Sequence, residues 1–285
     1  MISNQIKTFI FLAFLTAIIL FFGRALGGEQ GLIIAFILAL MMNIGSYWFS
    51  DKIVLAMYQA REVSEQEAPF LHQIVEELAR KAGIPKPKIY ILPQDVPNAF
   101  ATGRNPNTGV VAVTEGILKI LSQEELKGVL AHEIGHIKNR DILIQTIAAT
   151  LAGVIMFVAS MVRWAVIFGF GRSDEEDGGN PLLALVMAIV APIAAMLIQL
   201  AISRSREYLA DETGAALCGN PEYLASALEK LDAYSRHMGA AQVSPATAHM
   251  FIVNPLRGES LMALFSTHPP IQERIRRLRE MRYSF

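Results

Sequence analysis

The sequence predicts a mainly α-helical membrane protein, with four transmembrane helices and a cytoplasmic α+β domain built around a small sheet. Three observations predict this. First, 53% of the 285 residues are hydrophobic, only 18% are charged and the mean hydropathy is +0.37. A chain solvated by water alone is about a quarter charged, so part of this one is solvated by lipid. Second, four long apolar runs account for the excess. Third, the polar remainder, residues 50–141 and 203–285, is large enough for one compact domain.

Residues 8–22 and 31–49 contain no charge, and the glycine-bearing stretch 23–30 between them reads as a turn, so residues 1–49 are expected to form a transmembrane hairpin. The first run has the length of a signal-peptide core. Its positive flank is only Lys7, however, and a second run follows at once, which favours an uncleaved span. Residues 142–170 and 181–202 form the second expected hairpin, 142–202. Arg163 sits near its outer end, where snorkelling accommodates it, and Pro192 interrupts the last run. Of the 25 Lys and Arg residues, 11 fall in residues 50–141 and 10 in 203–285, whereas the hairpin tips hold Arg24 and Arg172. By the positive-inside rule the polar bulk and both termini are cytoplasmic.

The polar blocks read as one domain split by the second hairpin. Phe70, Leu71, Ile74, Val75 and Leu78 give a helical period over residues 64–81, ended by Gly83 and Pro85. Residues 88–92 and 109–113 are short β-branched runs bounded by Pro or Gly, and read as strands. Ser122 followed by Glu125 is a capping box that opens a helix running toward Asp141. The tail is mostly helical, with Pro221 and Pro245 as boundaries. The single cysteine, Cys218, excludes an intramolecular disulfide, and a net charge of −1 gives no reason to expect nucleic acid.

The chemistry lies on the capped helix, where His132, Glu133 and His136 spell H-E-x-x-H. Four residues is just over one helical turn, so both imidazoles project from one face and can share a metal ion. Glu133 beside them can take a proton from a water. A catalytic zinc needs a third protein ligand. His136 lies six residues before the third apolar run and Glu207 five residues after the fourth, which places both about 8–9 Å beyond the same membrane face if the helices continue straight. Glu207 and Asp211 are one turn apart. That spacing suits Glu207 as ligand and Asp211 as the carboxylate that orients a ligand imidazole, the alternative being a salt-bridged helix end.

Together the H-E-I-G-H helix, the run R-E-Y-L-A-D over residues 206–211, Asn98-Ala99-Phe100-Ala101 and Thr267-His268-Pro269-Pro270 resemble the HtpX family of bacterial membrane-bound zinc metalloproteases, over nearly the whole chain. The resemblance implies a zincin-like domain with one Zn2+ per subunit on His132, His136 and Glu207, and peptide-bond hydrolysis with Glu133 as the base. It makes His268 a candidate oxyanion stabiliser and Arg274 a candidate holder of a substrate carbonyl. It also makes Asn98 and the strand Gly109, Val110, Val111, Ala112, Val113 candidate peptide-binding elements, that strand being the expected sheet edge. His268 and Asn98 also fit local turns, Arg274 belongs to an arginine-rich run, and Tyr208 is either a second oxyanion donor or a core residue.

By the same resemblance the role is quality control at the bacterial cytoplasmic membrane. Substrates would be misfolded membrane proteins and unfolded polypeptides met at the lipid bilayer, and no oligomeric state is indicated. Two other functions stay open: a prenyl-protein-type membrane metalloprotease with a narrow substrate, and a non-enzymatic membrane protein with a structural metal, which needs no base at position 133. Lys138, Asn139, Arg140 and Asp141 separate the motif from the third run, which argues against cleavage inside the bilayer. Cys218 reads as a bystander. The amphipathic segment of Ile271, Ile275 and Leu278 either docks on the domain or lies on lipid.

Overall fold

The N-terminal apolar runs form one long helical element, α1 (Asn4–Met57), broken at Gly28, whose φ of 58° and ψ of −138° suit only glycine. The chain reverses there. Asn43 Nδ2 donates to Thr16 Oγ1 at 2.8 Å across the two arms, and a Cβ added at Gly23 would fall 2.3 Å from the Ala35 Cβ. The break is thus one residue within the expected turn, and the small residues beside it let the arms touch. In this computed structural model, residues 4–147, 204–237, 252 and 269–281 are described. Most of the second expected hairpin (residues 148–203), together with Pro245 and His268, lies outside them. Among the described residues, Gly28–Met57 is long and apolar enough to cross a bilayer, with Ile34, Phe36 and Met41 exposed along it.

The far end of α1 enters the polar domain. Val54 and Leu55 are buried against Leu92, Phe100, Val110 and Ala112, so the membrane helix and the sheet share a hydrophobic cluster. The sheet has four strands, β1 (Arg61–Glu62), β2 (Lys88–Leu92), β3 (Ala99–Thr102) and β4 (Val110–Thr114), in the order β1-β2-β4-β3. β2 and β4 are parallel, with Ile89 opposite Val111. β1 and β3 are antiparallel additions, with Ala101 also opposite Val111.

This corrects the expected edge. The run from Gly109 to Val113 lies between β2 and β3, its backbone groups are taken by both neighbours, and Gly109 precedes the strand. All five β4 residues are buried, as befits an inner strand with a continuous apolar run. The edge strands are β1 and β3, and β3 is the one beside α4.

The helices surround α4 (Gln123–Lys138). It opens with a reciprocal capping box: Ser122 Oγ accepts from Glu125 N at 3.2 Å, and Glu125 Oε2 accepts from Ser122 N at 2.7 Å. α2 (Pro69–Ala82) starts later than expected because Glu67 accepts from the backbone and hydroxyl of Ser64, forming a turn ahead of Pro69 at the first helical position. α3 (Glu115–Ile120) follows β4. α5 (Arg204–Cys218), α6 (Glu222–His237) and α7 (Ile271–Met281) complete the layer.

Val129, Leu130, Ile134 and Ile137 of α4 are buried in the main core with Leu78, Leu228, Ile275 and Leu278. Ile275 and Leu278 therefore dock α7 on the domain, while Arg276 pairs with Glu273 and Glu280, and Arg279 with Glu222 and Glu229. α4 and α5 cross unusually closely. A Cβ on Gly214 would lie 2.9 Å from His132 N, and one on Gly135 3.1 Å from Ala210 O.

Candidate metal centre

The close crossing sets the site. α4 presents His132 and His136 on one face, and α5 brings Glu207 opposite them. All three are buried. The two imidazole Nε2 atoms are 3.2 Å apart; Glu207 Oε1 is 3.5 Å from His136 Nε2 and Glu207 Oε2 is 3.8 Å from His132 Nε2. Four ligands placed tetrahedrally at zinc distances stand about 3.3–3.4 Å from one another, so these three donors fit a tetrahedral metal with one position left open. Two nitrogens and a carboxylate oxygen are a donor set that zinc accepts.

Each imidazole is oriented from behind. His132 Nδ1 is 2.9 Å from Asp211 Oδ1, and His136 Nδ1 is 3.3 Å from Asp141 Oδ2. A carboxylate at Nδ1 takes the N–H there, which leaves the Nε2 lone pair on each ring facing the shared point. Asp211 in turn accepts from Arg274 Nε at 2.9 Å and Nη2 at 2.7 Å, a bidentate pair. On the other side, Arg206 Nε lies 3.9 Å from Asp141 Oδ1. Burial alone would raise Asp211, but the charge and hydrogen bonds of Arg274 together with those of His132 outweigh it and keep its pKa below the usual aspartate value. Burial also pulls His136 down, yet the facing carboxylates of Glu207 and Asp141 carry its pKa up to about 9.

Glu133 stands one step around α4, on the side of the sheet. Its Oε2 accepts the backbone N–H of Ala101 at 2.8 Å, on the open edge of β3. Burial raises its pKa, against the opposing pull of His132 and His136. A carboxyl at this place can take a proton from a water and return it.

The remaining sequence candidates stand around this centre or away from it. Arg274 is wholly buried beside Asp211, with Nη1 donating to Ile252 O at 3.3 Å and lying 4.0 Å from Glu207 Oε2, while Nη2 lies 3.4 Å from His132 Nε2, so its guanidinium stands against the metal-ligating groups. Asn98 is also buried: its Oδ1 accepts from Ile252 N at 3.1 Å, a long-range tie across the domain. The Tyr208 ring lies under the Arg277 guanidinium, whose central carbon is 3.8 Å from the ring centre. His268 lies outside the described residues. Cys218 donates its thiol to Lys127 O, and burial pushes its pKa up to about 12, far from a thiolate nucleophile.

Sequence reasoning missed Asp141 and the edge strand. A carboxylate immediately before an apolar run was the available signal for Asp141, since it must find a partner once buried. Arg140 makes the turn: its positive φ of 60° folds the chain back so that Asp141 N donates to His136 O at 3.0 Å.

Residues 65–282 match peptidase family M48. The chain is 61% identical over 281 residues to a protein named Protease HtpX homolog from Syntrophobacter fumaroxidans, covering 98% of this chain and 100% of that one. It is 60% identical over 281 residues to the Pyrococcus furiosus protein of the same name, covering 98% and 96%. Among solved structures, that of S. mikatae Ste24p aligns with a TM-score of 0.46 at 18% identity, over 96% of this chain and 62% of that one. With the H-E-x-x-H helix, the glutamate on α5 and near-complete coverage by these relatives, the chain is a membrane-associated metallopeptidase that belongs to peptidase family M48 and, within it, to the HtpX proteases.

Proposed function

We propose that this protein is a zinc endopeptidase of the bacterial cytoplasmic membrane, held by four spans with both termini and the catalytic domain in the cytoplasm. It would cut misfolded or damaged membrane proteins and unfolded polypeptides at the lipid surface. The observation that carries this reading is the position of Glu133 between the convergent His132, His136 and Glu207 donors and the open edge of β3. Ala99 and Ala101 are two residues apart and so turn their backbone groups the same way, toward α4. An extended peptide that took over the Ala101 N–H from Glu133 would be gripped through its main chain, with little demand on sequence.

The residues divide the work. His132, His136 and Glu207 would hold the metal, and zinc, when bound, supplies a Lewis acid that polarises the scissile carbonyl and acidifies a water. Glu133 takes the proton from the attacking water and delivers it to the leaving amine. Asp211 and Asp141 keep both imidazoles in the ligating tautomer. Arg274 keeps Asp211 ionised.

The test is cleavage of unfolded casein by the purified protein in detergent, with Glu133→Gln beside it and zinc content measured in both. The expected result is loss of cleavage by at least about 100-fold with zinc retained. Equal cleavage by both proteins, or zinc bound with no cleavage by either, would sink the endopeptidase reading in favour of a contaminant or of a structural metal.

A further inference from the structure

Two cations stand out by their aromatic partners. Many others pair with carboxylates: Arg61 with Glu67, Lys86 with Glu65 and Glu76, Lys88 with Glu62, Lys119 with Asp95, Lys127 with Glu77. Lys52 and Arg104 behave differently. Among the described residues neither lies within ion-pair distance of a carboxylate, and both sit on aromatic rings where the uncharged run of α1 gives out, two to three turns before the helix ends. Lys52 Nζ is 5.8 Å from the Phe49 ring centre, and the Arg104 guanidinium carbon is 4.5 Å from that of Trp48. Asp51, the carboxylate next in sequence, is instead felt by Tyr90 on β2.

The depth of these groups is fixed by the helix that bears them. The uncharged run of α1 ends at Phe49, and Trp48 and Phe49 are 52% and 51% exposed, with Tyr47 edge-on to Trp48 at 5.5 Å. Aromatic rings with adjacent Lys or Arg at the end of an apolar run mark the headgroup level of a bilayer. Arg104 reaches that level from the other side, on the connection that leaves edge strand β3. Gly103, at φ 126°, turns this connection so tightly that a Cβ there would lie 2.4 Å from Thr108 O. The last residue of β3, Thr102, is hydrogen-bonded at 3.0 Å to Thr146, in the buried first turns of the third apolar run. One end of the candidate substrate strand is therefore tied both to α1 and to the chain entering that run.

A cation seated on a ring keeps its outward N–H donors free, and a guanidinium fork matches a phosphate. The anion available at that depth is a phospholipid headgroup. We propose that Trp48, Lys52 and Arg104 form a binding site for an anionic phospholipid headgroup, which holds β3 in the headgroup layer, where a substrate emerging from the bilayer meets it. This inference rests on the reading of α1 as embedded in the membrane. Attraction of a juxtamembrane cation to anionic lipid amounts to about fivefold in affinity per charge.

The experiment uses the full chain in lipid nanodiscs, with Trp164→Phe so that Trp48 is the sole tryptophan. Its fluorescence is quenched by brominated phosphatidylglycerol or by brominated phosphatidylcholine, in a background of ordinary phosphatidylcholine. The expected result is quenching by the anionic lipid at a several-fold lower mole fraction, a preference lost in both Arg104→Gln and Lys52→Gln and unaffected by excess inorganic phosphate. Equal quenching by the two lipids, or a preference that survives both substitutions, overturns the site. A preference abolished by inorganic phosphate assigns the site to soluble phosphate and overturns the lipid assignment. Absence of quenching by either lipid has a different meaning: it removes Trp48 from the bilayer surface, and the membrane reading of α1 fails with the proposal.

Discussion

Replacing Asp211 by Asn tests the metal centre at its most connected point. Asp211 is 2% exposed, and its Oδ1 serves both His132 Nδ1 at 2.9 Å and Arg274 Nη2 at 2.7 Å, while Oδ2 serves Arg274 Nε at 2.9 Å. Asparagine keeps the shape but has one acceptor oxygen and an NH2 that must face a donor. Two consequences follow. His132 loses the partner that fixes its tautomer, which lowers zinc affinity about 10- to 100-fold, or about 1.4–2.7 kcal/mol. Arg274 loses its counter-charge while staying buried, which costs the metal-free protein about 3–5 kcal/mol. Zinc affinity is read by competition with a chromogenic chelator in detergent, and stability by urea unfolding of the chelator-treated protein.

The double variant Asp211→Asn with Arg274→Met separates the two effects. Removing the orphaned charge should restore most of the stability but none of the zinc affinity. Zinc affinity within threefold of the parent in Asp211→Asn would refute the orienting role, and simple additivity in the double variant would refute the charge pair. The folded pKa of Asp211 is depressed, so its contribution is complete above the ordinary aspartate value of 3.8. It is lost only as pH falls further, through the folded value.

Other outcomes follow from the same geometry. The pKa of His136 is raised to about 9 from an ordinary 6.5, so without metal its paired, protonated form should stabilise the fold fully below pH 6.5 and lose that effect as pH rises through about 9. Zinc needs the neutral ring and should bind more tightly over the same interval; metal-free unfolding that does not change across it would contradict the pairing. Asp141→Asn should weaken zinc binding about tenfold, less than Asp211→Asn because its bond to the imidazole is longer, 3.3 Å against 2.9 Å. Gly214→Val places carbon within 3 Å of the His132 backbone nitrogen; forcing α5 away from α4 should cost about 1–3 kcal/mol and reduce zinc affinity, both measurable on one preparation. Ser122→Ala removes the cap of α4 and should lower stability by about 0.5–2 kcal/mol with the zinc affinity unchanged.

Parts of this site were legible in the sequence because they rest on short-range rules. The capping box places α4, the four-residue spacing puts His132 and His136 on one face, and Glu207 follows from its distance to the fourth apolar run. What could not be read depends on strand order and on turns. Hydrophobic pattern shows that residues 110–113 form a strand but does not say which strands flank it, so the edge was assigned to β4 instead of β3. Ala99–Thr102 is four residues long and buried on both faces, which gives no alternation to read. Asp141 escaped because it belongs to no helical period; it reaches His136 only through the left-handed turn at Arg140. Arg274 was recognised as a site residue, but the side from which it acts depends on the docking of α7, a tertiary fact.

The centre joins two parts of the chain that meet only in space. His132, His136 and Asp141 precede the interposed residues 148–203, and Arg206, Glu207 and Asp211 follow them. Arg206 and Asp141 come within 3.9 Å, and Glu207 and His136 within 3.5 Å. Without metal, Gly135 and Gly214 permit the crossing, but buried carboxylates and imidazoles converge there at a desolvation cost. A metal bound across the crossing stabilises it by RT ln(1 + [metal]/Kd), about 2.7 kcal/mol at a hundredfold excess over Kd. Binding linkage is reciprocal. Anything that draws apart the two ends of the interposed segment separates Glu207 from His136 and weakens metal binding, and metal binding by the same amount opposes their separation. Metal occupancy and the placement of the polypeptide between α4 and α5 are therefore one equilibrium.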